Sequence, residues 1–276
     1  MTRALVLGGG GVTGVAWEWG LLAGLARRGV ALAEADLVVG TSAGSVVGAQ
    51  LCSGRPVGES YQAQLAPAVG EVAARFGVAA VARLVWAGGR TRDAVRARAR
   101  IGAMALAART PSEASRRAVI EARLPVREWP ARRLLVTAVD AASGEFVVFD
   151  AGGGVSLVDA VGASCAVPGV WPPVTIGGRR YVDGGVRSAV NADLAAGAQR
   201  VVVLAPVTSA FGPMPRLSAQ VAALRAAARV AVVSPDRAAR AAIGRNVLDP
   251  ARRAAAARAG FAQAAVVAEE VAAVWG

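Results

Sequence analysis

Twice within its first 52 residues the chain passes from a short apolar run, through glycine, into a helix-compatible segment. Ala4-Leu5-Val6-Leu7 ends in four glycines at 8–11, and Val15 to Arg28 follows with helical potential before Gly29. Leu37-Val38-Val39 ends in Gly40-Thr41-Ser42-Ala43-Gly44, and a segment of small and apolar residues continues to Cys52. Short apolar runs bounded by turn residues read as buried strands, and helices usually stop at glycine. A strand, tight turn and helix repeated in that order imply a parallel α/β layer. With 276 residues the chain is long enough for one large core. No internal repeat or linker interrupts it, so residues 1–276 read as a single domain.

From Val57 to Arg123 the pattern turns helical. Tyr61, Leu65, Val69, Val72 and Phe76 recur at helical spacing and share one face. This stretch reads as a helical insertion over 57–123. Leu134 to Val139 resumes the strand pattern, and Phe146 to Phe149 pairs with it across a turn containing Ser143-Gly144. Val201 to Leu204 and Val230 to Val233 read as further buried strands. The C-terminal tail, from about 235 to 276, reads as helical. Its last helix is capped by Asp249, with Pro250 at the first position.

Composition then restricts the chemistry. Residues 40–44 form a Gly-x-Ser-x-Gly pattern, which in a strand–turn–helix setting exposes a reactive serine on a tight turn. The usual base for such a serine is histidine. The chain has no histidine, and all 31 of its basic residues are arginine. A Ser-His-Asp triad and a Ser-Lys pair are both excluded, so a base for Ser42 must be a carboxylate. Two distant cysteines, Cys52 and Cys165, make no disulfide framework and read as reduced and buried. Without histidine a zinc site has too few soft ligands.

Two more elements carry candidate chemistry. The run Gly8-Gly9-Gly10-Gly11-Val12-Thr13-Gly14 joins the first strand to the first helix. Glycines let backbone N–H groups converge at a helix N-terminus, a nest suited to a phosphate or a developing oxyanion. Through Gly9, Gly11 and Gly14 it also matches the dinucleotide fingerprint. That reading wants an acid near the end of the second strand, whereas Glu34 and Asp36 precede the strand. The last element is Tyr181-Val182-Asp183-Gly184-Gly185. Asp183 can point into a cleft from a strand end, or it can belong to a common Asp-Gly turn. Spacing alone does not choose between these.

Taken in order, the Gly9–Gly14 loop, the Gly40–Gly44 elbow and Asp183-Gly184-Gly185 resemble the patatin-like phospholipases. The block Ala163 to Pro173 and the hairpin Val136 to Glu145 are similar to the same family, so the resemblance spans about residues 4–206. It implies a three-layer α/β/α sandwich with a mostly parallel central sheet. It implies a lipid acyl hydrolase of phospholipase A type with a Ser-Asp dyad and no cofactor or metal. Ser42 maps to the nucleophile and Asp183 to its base. Gly9, Gly10 and Gly11 map to the oxyanion loop, with the Gly10 and Gly11 amides as donors. Gly14, Gly40, Gly44, Gly184 and Gly185 support the motifs. One departure stands out: Thr13 occupies a position where the family usually has Arg or Lys. Two other classes remain beside this one, a nucleotide-binding oxidoreductase built on the glycine loop and a non-catalytic lipid-binding relative.

The net charge of +12 bears on partners. Residues 88–123 hold nine arginines against Asp93, Glu113 and Glu121. This run is either a patch for an anionic surface or a solvated helix face. The substrate expected is an acyl-ester lipid, with peripheral contact at an anionic membrane and no nucleic acid. No signal peptide and no long apolar span are evident, so a cytoplasmic location is expected.

Overall fold

The computed structural model describes residues 1–67, 74, 82, 86–89, 91–210 and 212–276. Its centre is β1 (Arg3–Leu7), flanked in parallel by β2 (Leu37–Gly40) and β7 (Arg200–Leu204). Beyond β2 lies β3 (Arg133–Asp140), and beyond β7 lies β8 (Arg229–Val233), both again parallel. Three antiparallel strands complete the sheet at its β3 side: β4 (Phe146–Phe149), β5 (Val174–Ile176) and β6 (Arg179–Asp183). The order is β5-β6-β3-β2-β1-β7-β8, with β4 joined to β3.

Successive side chains of a strand point to opposite faces, so β1 feeds two cores. Leu5 and Leu7 enter one core, and Ala4 and Val6 enter the other. The first core is covered by α1 (Gly11–Ala26), α2 (Ala43–Cys52), α6 (Leu157–Ser164) and α9 (Arg253–Trp275). The second is covered by α7 (Leu217–Arg225) and a short 3-10 turn at Ala192–Ala195. The result is a three-layer α/β/α sandwich with a mostly parallel sheet. Because both faces are covered, β1, β2 and β7 are unbroken apolar runs rather than alternating ones. Trp17 and Trp19 of α1 are fully buried, and each indole N–H finds a buried glutamine oxygen, Gln263 and Gln50 respectively.

The insertion contains α3 (Val57–Leu65), α4 (Ala94–Ala107) and α5 (Glu113–Arg123), and no strand among its described residues. Tyr61 of α3 stacks on Phe261 of α9 at 5.0 Å, and Leu65 packs against the main core. Val69, Val72 and Phe76, expected on the same face, lie outside the described residues. Ile101 and Ala105 of α4 pack on Val139, Val182 and Val186 at the antiparallel end of the sheet. Among the described residues no helix is long and apolar enough to cross a membrane.

Several boundaries differ from the sequence reading. The first helix begins at Gly11 rather than Val15, because the glycines read as a turn form its opening turn. Asp249 caps a 3-10 turn at Pro250–Arg252 before α9 begins. The β5 strand, α6, α7 and α8 (Arg237–Ile243) are too short or too alanine-rich to show a clear period. Both cysteines are free and buried, as expected, and burial pushes their thiols up to about 12 for Cys52 and about 11 for Cys165.

Candidate active site

Leu7 and Gly40 are register partners at the ends of β1 and β2, so the two loops that follow leave the sheet side by side. Ligand sites in open α/β sheets gather at this carboxyl edge. Ser42 emerges there with φ 52° and ψ −115°, in a region that side chains rarely adopt. Such backbone strain costs about 1–3 kcal/mol and persists only where the surroundings over-determine it. Here they do. The Ser42 N–H donates to Ser164 Oγ at 2.9 Å. Its carbonyl accepts from Ser45 Oγ at 2.6 Å and from Cys165 Sγ at 3.3 Å. The Gly44 N–H donates to the carbonyls of Gly8, at 3.0 Å, and Thr41, at 2.9 Å. A Cβ on Gly44 would stand 2.0 Å from the Leu7 carbonyl oxygen, so the elbow can lie against β1 only with glycine there.

The glycine loop runs beside the elbow. The Gly9 N–H donates to the Ala189 carbonyl at 2.6 Å. The one N–H of Gly9 is thus engaged inside the fold. The Gly10 and Gly11 amides have no acceptor among the described residues, and Gly11 opens α1, where N–H groups lack intrahelical partners. Gly11 has φ +60°, and a Cβ there would meet the Val247 carbonyl oxygen at 2.5 Å. Thr13, at the position of the family's Arg or Lys, is fully buried, and both its N–H and its hydroxyl bond the Val247 carbonyl at 3.1 Å. It ties down the 246–248 segment against the glycine loop.

Asp183 ends β6, opposite Ala138 of β3, and is buried. Burial pushes its carboxyl up to about 7, against the lowering influence of a hydrogen bond with the Ser42 side chain, the Gly185 N–H and the Arg116 charge. The Gly185 bond is 2.7 Å long. Ser42, Asp183 and Gly185 line one cavity of about 150 Å³ together with Gly9, Gly10 and Gly11. Its remaining wall is apolar and includes Ile101 from α4, Val186 and Leu248. Gly14, Gly40, Gly44 and Gly184 lie outside that lining and serve the turns behind it.

Four neighbours of the site carried no assigned role in the sequence reading. Ser164 and Cys165 hold the elbow backbone, although the block containing them was legible as a family resemblance. Asn191, fully buried and left-handed at φ 53°, donates through its side-chain amide to Thr41 Oγ1 at 3.0 Å and to the Ser188 carbonyl at 2.8 Å. No local pattern marks it, because its partners are 150 and 3 residues away. Arg116 is buried and stacks over the Trp171 ring at 4.0 Å. Within a charge run it was indistinguishable from its neighbours. Asp36, the acid closest in sequence to β2, accepts the Arg3 N–H at 2.7 Å at the opposite end of the strand from the glycine loop. A dinucleotide ribose therefore has no carboxylate at the expected position on β2.

The fold sets a strained serine at the carboxyl edge of a mostly parallel sheet, where it lines one cavity with a buried aspartate. The chain matches the family model of patatin-like phospholipases over residues 5–196, and it belongs to that family. It is a lipid acyl hydrolase, acting on ester bonds. Two solved structures align with the chain. VipD from Legionella pneumophila aligns with a TM-score of 0.50 at 14% identity, covering 98% of this chain and 67% of VipD. The type III effector protein ExoU aligns with a TM-score of 0.45 at 16% identity, covering 98% of this chain and 53% of ExoU. No curated protein matches the sequence.

Proposed function

We propose that residues 1–276 form one patatin-like domain acting as a serine esterase of phospholipase A type, with Ser42 and Asp183 as its dyad. The observation that supports this reading is the strained Ser42, which lines the same cavity as Asp183, Gly10 and Gly11. Ser42 Oγ attacks the ester carbonyl carbon as its proton passes to the Asp183 carboxylate. The carbonyl π electrons move onto oxygen, and the Gly10 and Gly11 N–H groups receive that oxyanion. Collapse expels the alcohol, which takes the proton from Asp183, and leaves an acyl-serine. Water then attacks the acyl carbon and gives a proton to Asp183; collapse breaks the bond to Ser42 Oγ, which takes that proton back, and the fatty acid is released.

A carboxylate of ordinary acidity is a weak base for an alcohol. Burial brings Asp183 close to neutrality in proton affinity, where general-base efficiency is greatest. The N-terminal end of α1 adds favourable potential beside the oxyanion. Labelling with a fluorophosphonate, followed by mass spectrometry of the modified peptide, tests the nucleophile. Modification at Ser42 is expected; labelling of another serine with Ser42 untouched overturns the reading.

The reading also includes peripheral contact with anionic membrane in the cytoplasm. It is supported by Arg92, Arg96, Arg100 and Arg109, which are exposed along the insertion. Not every arginine of the run takes part. Arg98 is buried and donates to the Gly144 carbonyl at 2.6 Å, and Arg117 pairs with Glu121 and Asp159.

A further inference from the structure

Ser42 and Asp183 stand at the ends of strands that are not neighbours, since β3 lies between β2 and β6. The ladder ends at Gly40 on one side and at Asp183 on the other. Backbone pairing therefore fixes the strands but not the turns that follow them. One buried side chain spans that gap. The Asn191 amide donates to Thr41 Oγ1 at 3.0 Å and to the Ser188 carbonyl at 2.8 Å. It also reaches Thr137 Oγ1 of β3 and the Gly184 carbonyl, each at 3.4 Å. Thr41 is the residue before Ser42, and Gly184 is the residue after Asp183. The Thr41 and Thr137 hydroxyls are 2.9 Å apart, and the Ser188 N–H donates to the Gly184 carbonyl at 3.3 Å. Thr41, Thr137 and Asn191 are all fully buried.

The amide is itself held in one orientation. Its oxygen accepts from Arg187 Nη1 at 2.7 Å. The same guanidinium pairs with Asp193 at 2.6 Å and lies over the Phe146 ring at 4.3 Å. With the oxygen committed to Arg187, which can only donate, the NH₂ group faces Thr41 and Ser188. The Asn191 backbone is left-handed, at φ 53° and ψ 43°. Glycine would meet that requirement at no steric cost. Asparagine tolerates it and adds two donors, both of which are used here.

We propose that Asn191 is a positioning residue: it sets the separation of the Ser42 hydroxyl and the Asp183 carboxylate by tying the residue before the nucleophile to the turn after the base. It touches neither reacting atom and acts through Thr41 and Gly184. This role presupposes the Ser42–Asp183 dyad proposed above.

The test removes the contact from either end. Asn191→Gly keeps the left-handed backbone and deletes the amide. Thr41→Val keeps the shape and deletes the acceptor, and Thr41→Ser restores a hydroxyl. Hydrolysis of a p-nitrophenyl ester is followed below the melting temperature of every variant. Asn191→Gly should lower kcat by about tenfold to a hundredfold with KM little changed, since a misplacement of about 1 Å costs up to about 10²-fold. Thr41→Val should act in the same direction, and Thr41→Ser should recover most of kcat. In an Asp183→Asn background, Asn191→Gly should add less than about a twofold loss, because a residue acting through the dyad then has nothing left to position. A merely structural asparagine would lower the melting temperature alone, or cut the rate equally in both backgrounds; either result overturns the proposal. Wild-type kcat in Thr41→Val does the same. If Asn191→Gly does not fold, the Thr41 pair decides through the same cycle. Failure of the dyad reading looks different: Ser42→Ala or Asp183→Asn then keeps the wild-type rate, and the positioning role falls with it.

Discussion

The two sides of Ser42 are built by different means. On the sheet side, the elbow, the glycine loop and Asp183 come from the ends of β2, β1 and β6, and buried hydrogen bonds hold the Ser42 backbone at both its N–H and its carbonyl. On the helical side, α5 and the segments next to α3 and α9 bring arginines through long side chains that rest on a ring or cap a helix end. The first side can hold reacting atoms to fractions of an ångström. The second side can set potential and select charge, with more tolerance for substitution. The chemistry proposed here draws on the rigid side.

The largest expected effect lies on the rigid side. Ser42→Ala and Asp183→Asn should each reduce hydrolysis of a p-nitrophenyl ester by at least about 10²–10⁴-fold, the typical range of general-base catalysis. The double variant should be little worse than either, because the pair acts as a unit. Additive losses, or a tenth of the activity surviving in Asp183→Asn, would remove Asp183 from the base role.

Ser164→Ala comes next. It takes the acceptor from the Ser42 N–H, and a buried donor left without a partner costs about 1–3 kcal/mol. The melting temperature should fall, and kcat should fall with it while KM for a neutral ester changes less. Unchanged kcat would mean that the elbow holds its strain without this bond.

A smaller effect should come from the helical side, read through pH. The rising limb of kcat/KM should lie near pH 7, where Asp183 loses its proton. Arg116→Gln removes a charge that favours the carboxylate, so the limb should move to higher pH. The stability arm runs the other way. The folded carboxyl binds its proton more tightly than the unfolded one, so from about pH 4 to pH 7 stability falls as pH rises, and the penalty is complete above about 7. Asp183→Asn should therefore raise the melting temperature at pH 8 and leave it nearly unchanged at pH 4. A limb that does not move in Arg116→Gln would detach the helical side from the chemistry altogether.

The smallest effect is expected at the exposed arginines of α4. Each basic residue near an anionic surface contributes about 1 kcal/mol, and at physiological ionic strength the field decays over about 8 Å. Co-sedimentation should favour anionic over zwitterionic vesicles and weaken with salt. Binding indifferent to lipid charge or to salt would return these residues to an ordinary solvated face.

Much of the sheet side was legible in the residues themselves. Short apolar runs ending in glycine marked β1 and β2, because strand pairing and tight turns depend on local properties of a few consecutive residues. The absence of histidine and lysine required a carboxylate base before any coordinate was known. Composition could not say which carboxylate, and a family resemblance pointed to Asp183. The tertiary structure decided what depends on distant partners. It gave the Gly9 amide to Ala189, Thr13 to Val247, Asn191 to Thr41 and the Ser42 N–H to Ser164. It also separated Arg116, beside Asp183, from Arg98 and Arg117 in the same charge run, a distinction set by which side of its helix each residue occupies and what packs there. Periodicity and turn chemistry act along the chain and can be read along it. Hydrogen-bond partners, burial and the proton affinity of Asp183 arise between segments far apart in sequence, and only the folded arrangement defines them.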